Sequence, residues 1–155
     1  MTVRPMDKPG WRAGVNQALG WQWEPYTAPL AAATTNPTGW TTAGGWYQVG
    51  SLIVVRFALT AGTGMTAGSG AYRIGLPVTA ASGLTAGLGQ ILLWDSSANA
   101  SVLAEAYPAD PTYATLGYPA TWAGVLTTCG AAAPWAWASG DIIRGTLTYE
   151  AALPS

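Results

Sequence analysis

The chain has no histidine, which removes the commonest general base together with the Ser-His-Asp and Cys-His arrangements and most transition-metal sites. Its single cysteine, Cys129, excludes an internal disulfide framework and a cysteine-based zinc site, so stability has to come from burial and hydrogen bonding. Charge is scarce too. Of the 155 residues 8% are Asp, Glu, Lys or Arg, against about 25% in ordinary soluble domains. So few charges do not build an ordinary solvated surface, and much of the outside is expected to be covered by other protein. Lipid is not the expected cover, because Gly, Thr, Ser or Pro interrupts every apolar run well short of the roughly 20 residues of a spanning helix. The first residues carry Arg4, Asp7, Lys8 and Arg12 around Pro5, Pro9 and Gly10 and lack the apolar core of a secretion leader. The chain is therefore expected to stay where it is made until it assembles.

What is present is apolar: 50% of the residues are hydrophobic, and the length suits one domain with one full core. Three of the six basic residues but only one acid fall in the first twelve positions, which marks those positions off from the rest. Residues 1–20 show neither strand nor helix periodicity, and their Pro and Gly residues break any pattern, so they read as an extended docking arm. Ordering such an arm costs about 1–2 kcal/mol per residue, which calls for buried anchors. Trp11, Val15 and Leu19 are the candidates, with Arg4, Lys8 and Arg12 to pair with acidic groups of a neighbouring subunit.

Residues 21–155 are expected to form a single β-sandwich domain. In residues 52–59 the alternate positions Ile53, Val55, Phe57 and Leu59 are apolar while Arg56 takes the other face, the pattern of a core strand. Tyr72, Ile74, Leu76 and Val78 repeat it with Arg73 opposite, and Ile143, Leu147 and Tyr149 repeat it with Arg144, Thr146, Thr148 and Glu150 outward. Shorter candidates are residues 21–27, 45–49, 90–95, 101–107, 113–118 and 121–128, which makes about nine strands. Val49-Gly50-Ser51 reads as a tight strand connection and residues 96–99 as a hairpin tip. Residues 61–70 and 79–89 are too Gly-rich for helix and read as loops. Short antiparallel strands without crossover helices predict an all-β, jelly-roll-like antiparallel sandwich. The outer faces that carry Leu52, Val54, Arg56 and Arg73 are weakly polar, and they are the expected contact surface of a homo-oligomer.

Catalysis has little to work with. Asp95, Glu105, Asp110, Asp141 and Glu150 would have to converge in pairs for glycoside hydrolysis, but Asp95 and Asp141 sit beside turn residues and read as turn carboxylates. Gly62, Gly64, Gly68 and Gly70 are followed by no Gly-Lys-Ser/Thr, so they read as turn glycines and not as a phosphate loop. Six scattered basic residues make no stripe for nucleic acid. No cofactor, metal, nucleic acid or membrane is expected. The nine tryptophans admit two readings, as buried core and interface anchors or as an exposed platform that stacks on sugar. Trp21 with Trp23, and Trp135 with Trp137, share a face if extended, and these pairs are the candidate glycan-stacking residues.

Several segments, in order, carry a resemblance: Trp23-Glu-Pro-Tyr26-Thr27, Gly45-Trp-Tyr47-Gln-Val-Gly50, Ile53-Val-Val-Arg56-Phe-Ala-Leu59, Gly68-Ser-Gly70-Ala-Tyr72, Leu76-Pro77-Val78, Trp137-Ala-Ser-Gly140-Asp141 and Tyr149-Glu150. Over residues 21–152 the chain resembles the small β-rich virion surface proteins of tailed bacteriophages that infect actinobacteria. These are found as capsid decoration proteins, minor tail proteins or tail-fibre tip domains. The resemblance implies a jelly-roll-like trimer without cofactor or catalysis, made in the host bacterial cytoplasm and carried on the virion. Its partner would be the major capsid protein or another virion subunit. A compact module behind a short arm suits capsid decoration. The alternative is a minor tail or fibre-tip module that binds a host surface glycan.

Overall fold

The computed structural model describes residues 22–85, 87–121 and 124–152. The arm residues Arg4, Lys8, Trp11, Arg12, Val15 and Leu19, and also Trp21, lie outside the described residues.

The fold is all-β. Among the described residues ten strands follow one another: β1 Glu24–Pro25, β2 Leu30–Ala32, β3 Thr38–Val49, β4 Leu52–Thr66, β5 Tyr72–Gly75, β6 Gly89–Asp95, β7 Ala100–Asp110, β8 Tyr113–Pro119, β9 Leu126–Thr128 and β10 Ile142–Glu150. They form one antiparallel sheet in the order β1-β3-β4-β10-β6-β7-β8-β5-β2, with β9 beside β8. Within it β5 to β8 make a Greek key, since β6, β7 and β8 are hairpin neighbours and β5 returns beside β8. Jelly rolls carry two such units.

The sheet curls because a single segment holds both of its ends. Residues 24–32 begin as β1 on β3 and finish as β2 on β5. Between them the Tyr26 N–H donates to the Gly44 carbonyl at 3.2 Å, and the Gly75 N–H donates to the Pro29 carbonyl at 3.0 Å. The Thr42 hydroxyl donates to the Ala28 carbonyl at 3.1 Å, and the Tyr26 hydroxyl donates to the Gly75 carbonyl. That crossing is why, of residues 21–27, expected as one strand, the described ones form a strand only at Glu24–Pro25 before the chain leaves β3.

Alternation decides which side chains fill the inside. Ile53, Val55, Phe57, Leu59 and Ala61 of β4 are buried, as are Ile143, Leu147 and Tyr149 of β10, while Arg56, Arg144, Thr146, Thr148 and Glu150 face out. Ile91 and Leu93 of β6, Ala104 and Ala106 of β7, and Ala114 and Leu116 of β8 complete the same core. On β5 Tyr72 and Ile74 are buried, but the strand stops at Gly75, and Leu76 and Val78 pack on the core from the following loop. Each fully buried Leu or Ile is worth about 1.5–3 kcal/mol relative to exposure, so these strands carry the fold.

Both expected tight turns form. Gly50-Ser51 links Val49 to its partner Leu52, with Gly50 at φ 61°, and Ser96–Asn99 links Asp95 to Ala100, with Asn99 at φ 51°. The first has glycine at the leading central position, as two-residue hairpins favour.

Residues 61–70 correct the reading from composition. β4 runs on to Thr66, so Gly62 and Gly64 are strand residues and not turn glycines. β3 begins at Thr38 and not at Gly45, and the two strands pair past a bulge between Thr38 and Trp40. The reason is close approach, since a Cβ at Gly62 would lie 2.7 Å from the Gly39 carbonyl oxygen. Of the described residues within 121–128 the paired stretch is Leu126–Thr128. Of residues 79–89, expected as a loop, the described residues 79–85, 87 and 88 lie outside the strands, with a bridge from Ala80 to Ala151, while Gly89 opens β6.

Candidate assembly surface

Leu52, Val54 and Arg56 share the outer face of β4, with Leu52 42% exposed. Arg73 faces out from β5, which lies beyond β3 and the closing segment. The structure thus divides the expected contact set between two sectors of the outside, one around β4 and one around β5.

Trp23 is 37% exposed and lies on the outside of β3 and β4. Its ring meets Tyr47 edge-on at 4.8 Å, and the Arg56 guanidinium lies 4.2 Å from its centroid. Gly45 makes room for it, because a Cβ there would come within 3.3 Å of Trp23 Cε3. Beside Arg56 a recess of about 340 Å³ is lined by Ala43, Gly44, Phe57 and Ala58.

Trp135 and Trp137 do not form a platform for sugar. Trp137 is only 7% exposed, its Nε1–H donates to the Gly130 carbonyl at 2.9 Å, and its ring packs on Trp40, Tyr72 and Trp135. The i, i+2 rule failed here because the two residues sit in a loop, where spacing does not set the face. The Nε1 atoms of Trp40 and Trp135 are buried without a hydrogen-bond partner among the described residues.

Three aspartates serve turns. Asp141 is fully buried and accepts the Ser96 N–H at 2.9 Å, the Ser96 hydroxyl at 3.0 Å and the Ala138 N–H at 2.9 Å. Asp95 accepts the Ser97 N–H, the Ser97 hydroxyl and the Ala98 N–H; the Ala98 bond first, and then the Ser97 hydroxyl, hold its carboxyl below the usual range. Asp110 is likewise held down, by the Thr112 hydroxyl first and then the Thr112 N–H. A second recess, of about 180 Å³, lies between residues 80–84 and 108–111, and Asp110 is its acidic member. Burial pushes the Cys129 thiol up to about 12, which leaves it protonated and unreactive near neutrality. Among the described residues no group of three or more His, Cys, Asp or Glu is placed to hold a metal ion, and no helix is long and apolar enough to cross a membrane.

Outward apolar side chains are the positive feature of the surface. Leu103 is 59% exposed, Val125 68%, Leu126 39% and Val49 39%. Sequence reasoning missed Leu103, although a signal was there: on β7 it has the parity of Ser101 and Glu105, opposite to the buried Ala104 and Ala106.

Comparison of the chain with protein-family models, with curated proteins and with solved structures gives no match.

Proposed function

We propose that this chain is a structural subunit of a bacteriophage virion, a capsid decoration protein that assembles with copies of itself and docks on the particle through its N-terminal arm. The observation that carries the reading is the outer surface, where Trp23, Val49, Leu52, Leu103, Val125 and Leu126 stand exposed on a chain with 8% charged residues. Exposed apolar area of that kind is what a subunit interface buries. The order of assembly follows the resemblance, three copies side by side. The arm suits docking because the described chain begins on the outside, where Arg56 and Tyr47 hold Trp23. The role asks for no cofactor and no catalytic group.

A second reading makes the chain a minor tail protein or fibre-tip module that binds a host glycan. Partial exposure of the Trp23 ring favours it. Mass spectrometry of separated heads and tails from purified particles tests both. Many copies in heads support decoration, a few copies confined to tails support the second reading, and absence from both overturns the virion role.

A further inference from the structure

Two exposed arginines meet around one alanine on the outer face of the sheet. Ala58 of β4 pairs with Ala43 of β3 on one side and with Arg144 of β10 on the other, and Arg56 precedes it by two on the same face. Arg56 and Arg144 are thus diagonal neighbours, about 7–8 Å apart, and both are exposed. The other neighbours on that face are Gly45, Val54 and Thr146 for Arg56, and Leu92, Ile142 and Thr146 for Arg144. No acid is among them, although residues 22–152 hold six acidic residues to three basic ones. Two like charges set side by side repel, and an anion between them removes that cost.

The recess beside them has room for a ligand. It measures about 340 Å³ and is lined by Ala43, Gly44, Arg56, Phe57 and Ala58, within the range of about 300–1,000 Å³ of small-molecule sites. A single carboxylate side chain would leave most of it empty. Arg56 is also held in place. Its guanidinium lies over the Trp23 ring, a contact that uses the flat face and leaves the N–H fork at the rim to grip a carboxylate or phosphate with two parallel bonds. Ala43 and Ala58 give a low apolar floor for the C–H face of a sugar ring, and Thr60 and Thr146 stand on the same face as hydroxyl partners.

We propose that Arg56 and Arg144 bind an acidic sugar in this recess, with its carboxylate or phosphate on the two guanidiniums and its ring over Ala43 and Ala58. The proposal rests on the second reading above and names its ligand class.

The test titrates the full chain with glucuronate and with glucose 6-phosphate, which separate a carboxylate source from a phosphate source. Glucose and inorganic phosphate are the controls, and tryptophan fluorescence and the thermal midpoint read binding. At least one acidic sugar is expected to bind saturably and to raise the midpoint, with glucose about tenfold weaker or more. Arg56→Gln and Arg144→Gln should each weaken the acidic sugar by about tenfold or more, and circular dichroism checks that these exposed positions keep the fold. Ala43→Leu, at an exposed position, raises the floor but leaves both charges, and should weaken the sugar more than inorganic phosphate. No saturable binding of either acidic sugar overturns the site, as does an affinity unchanged in both Gln variants. Inorganic phosphate that binds as tightly as the sugars means an adventitious ion only and overturns it too. A fall in oligomer mass in the Gln variants without sugar binding overturns it in favour of a carboxylate from a neighbouring copy. The second reading is tested apart, by where in the particle the protein is found, so a tail protein that binds no acidic sugar sinks the site and not the location.

Discussion

The Arg56 guanidinium lies over the Trp23 ring, 4.2 Å from its centroid, and so fastens the start of the described chain to the outer face of β4. An exposed stack of this kind is worth about 0.5–1 kcal/mol. Arg56→Ala should lower stability by about that amount in urea unfolding. Arg56→Lys should recover only part of it, because an ammonium does not lie flat on a ring. In a Trp23→Ala background the Arg56 change should cost nothing further, and a full second loss there would mean that Arg56 acts through some other contact.

Asp141 ties the Ser96–Asn99 turn to the start of β10 from a fully buried position. Replacing it with Ala leaves the N–H groups of Ser96 and Ala138 without acceptors at a part-buried site, where each costs up to the about 1–3 kcal/mol of a fully buried orphan. Asp141→Ala should therefore lower the urea midpoint far more than Asp95→Ala, whose donors are exposed to water. Equal effects would show that water reaches the Asp141 site.

Alkaline pH should unfold the protein through its tyrosines. Burial is the main cause that pushes the Tyr72 and Tyr149 phenols up to about 12, from an ordinary value of 10.0, and it raises Tyr26 too. A phenol whose folded value lies above its unfolded one contributes stability that is complete below about pH 10 and is lost as pH rises toward the folded value. Thermal midpoints should hold up to about pH 10 and fall from there to about 12. Tyr149→Phe should reduce the slope of that fall, although it gives up the 2.8 Å bond from its hydroxyl to the Val78 carbonyl. The aspartates act at the other end of the scale. Asp95 and Asp110 are held below the usual range, so their contribution is present at neutrality and fades as pH falls through their folded values.

Two glycines of β3 and its hairpin should respond differently to alanine. A Cβ at Gly44 would lie 2.7 Å from the Arg56 carbonyl oxygen and 2.9 Å from that of Tyr26, so Gly44→Ala pushes the closing segment off the sheet. Gly50 has open space around it but a φ of 61°, so Gly50→Ala costs about 1 kcal/mol of backbone strain. Hydrogen exchange should show the Tyr26 amide opening in the first variant and unchanged in the second.

The parts of this fold that were legible in the sequence are those where large side chains alternate. Ile53 to Leu59 and Ile143 to Tyr149 declare their buried faces, and Asp95 with Ser96 to Asn99 declares its turn, because local chemistry settles each. The paired ends of β3 and β4, residues 38–44 and 60–66, were hidden, since Gly, Ala and Thr carry little alternation and only the partner strand makes them extended. Closure of the sheet was hidden too. It depends on Tyr26 meeting Gly44 and Gly75, contacts that no local pattern encodes. The outward faces were legible as weakly polar.

Deleting residues 1–20 separates assembly from docking. The contacts named for self-association all lie on the described domain, and Trp23 remains to be held by Arg56 and Tyr47. The truncated chain should thus keep its mass in solution and its thermal midpoint, yet fail to bind particles stripped of the protein. Replacing Trp11 and Leu19 together with Ala in the full chain should weaken binding in the same direction, because anchors have to offset about 1–2 kcal/mol for every arm residue ordered. Co-sedimentation with stripped heads reads both. Full binding by the truncated chain would move docking from the arm to the outer face of the sheet, where the exposed side chains around Leu52 and Leu103 would then have to serve the particle and the neighbouring copy alike.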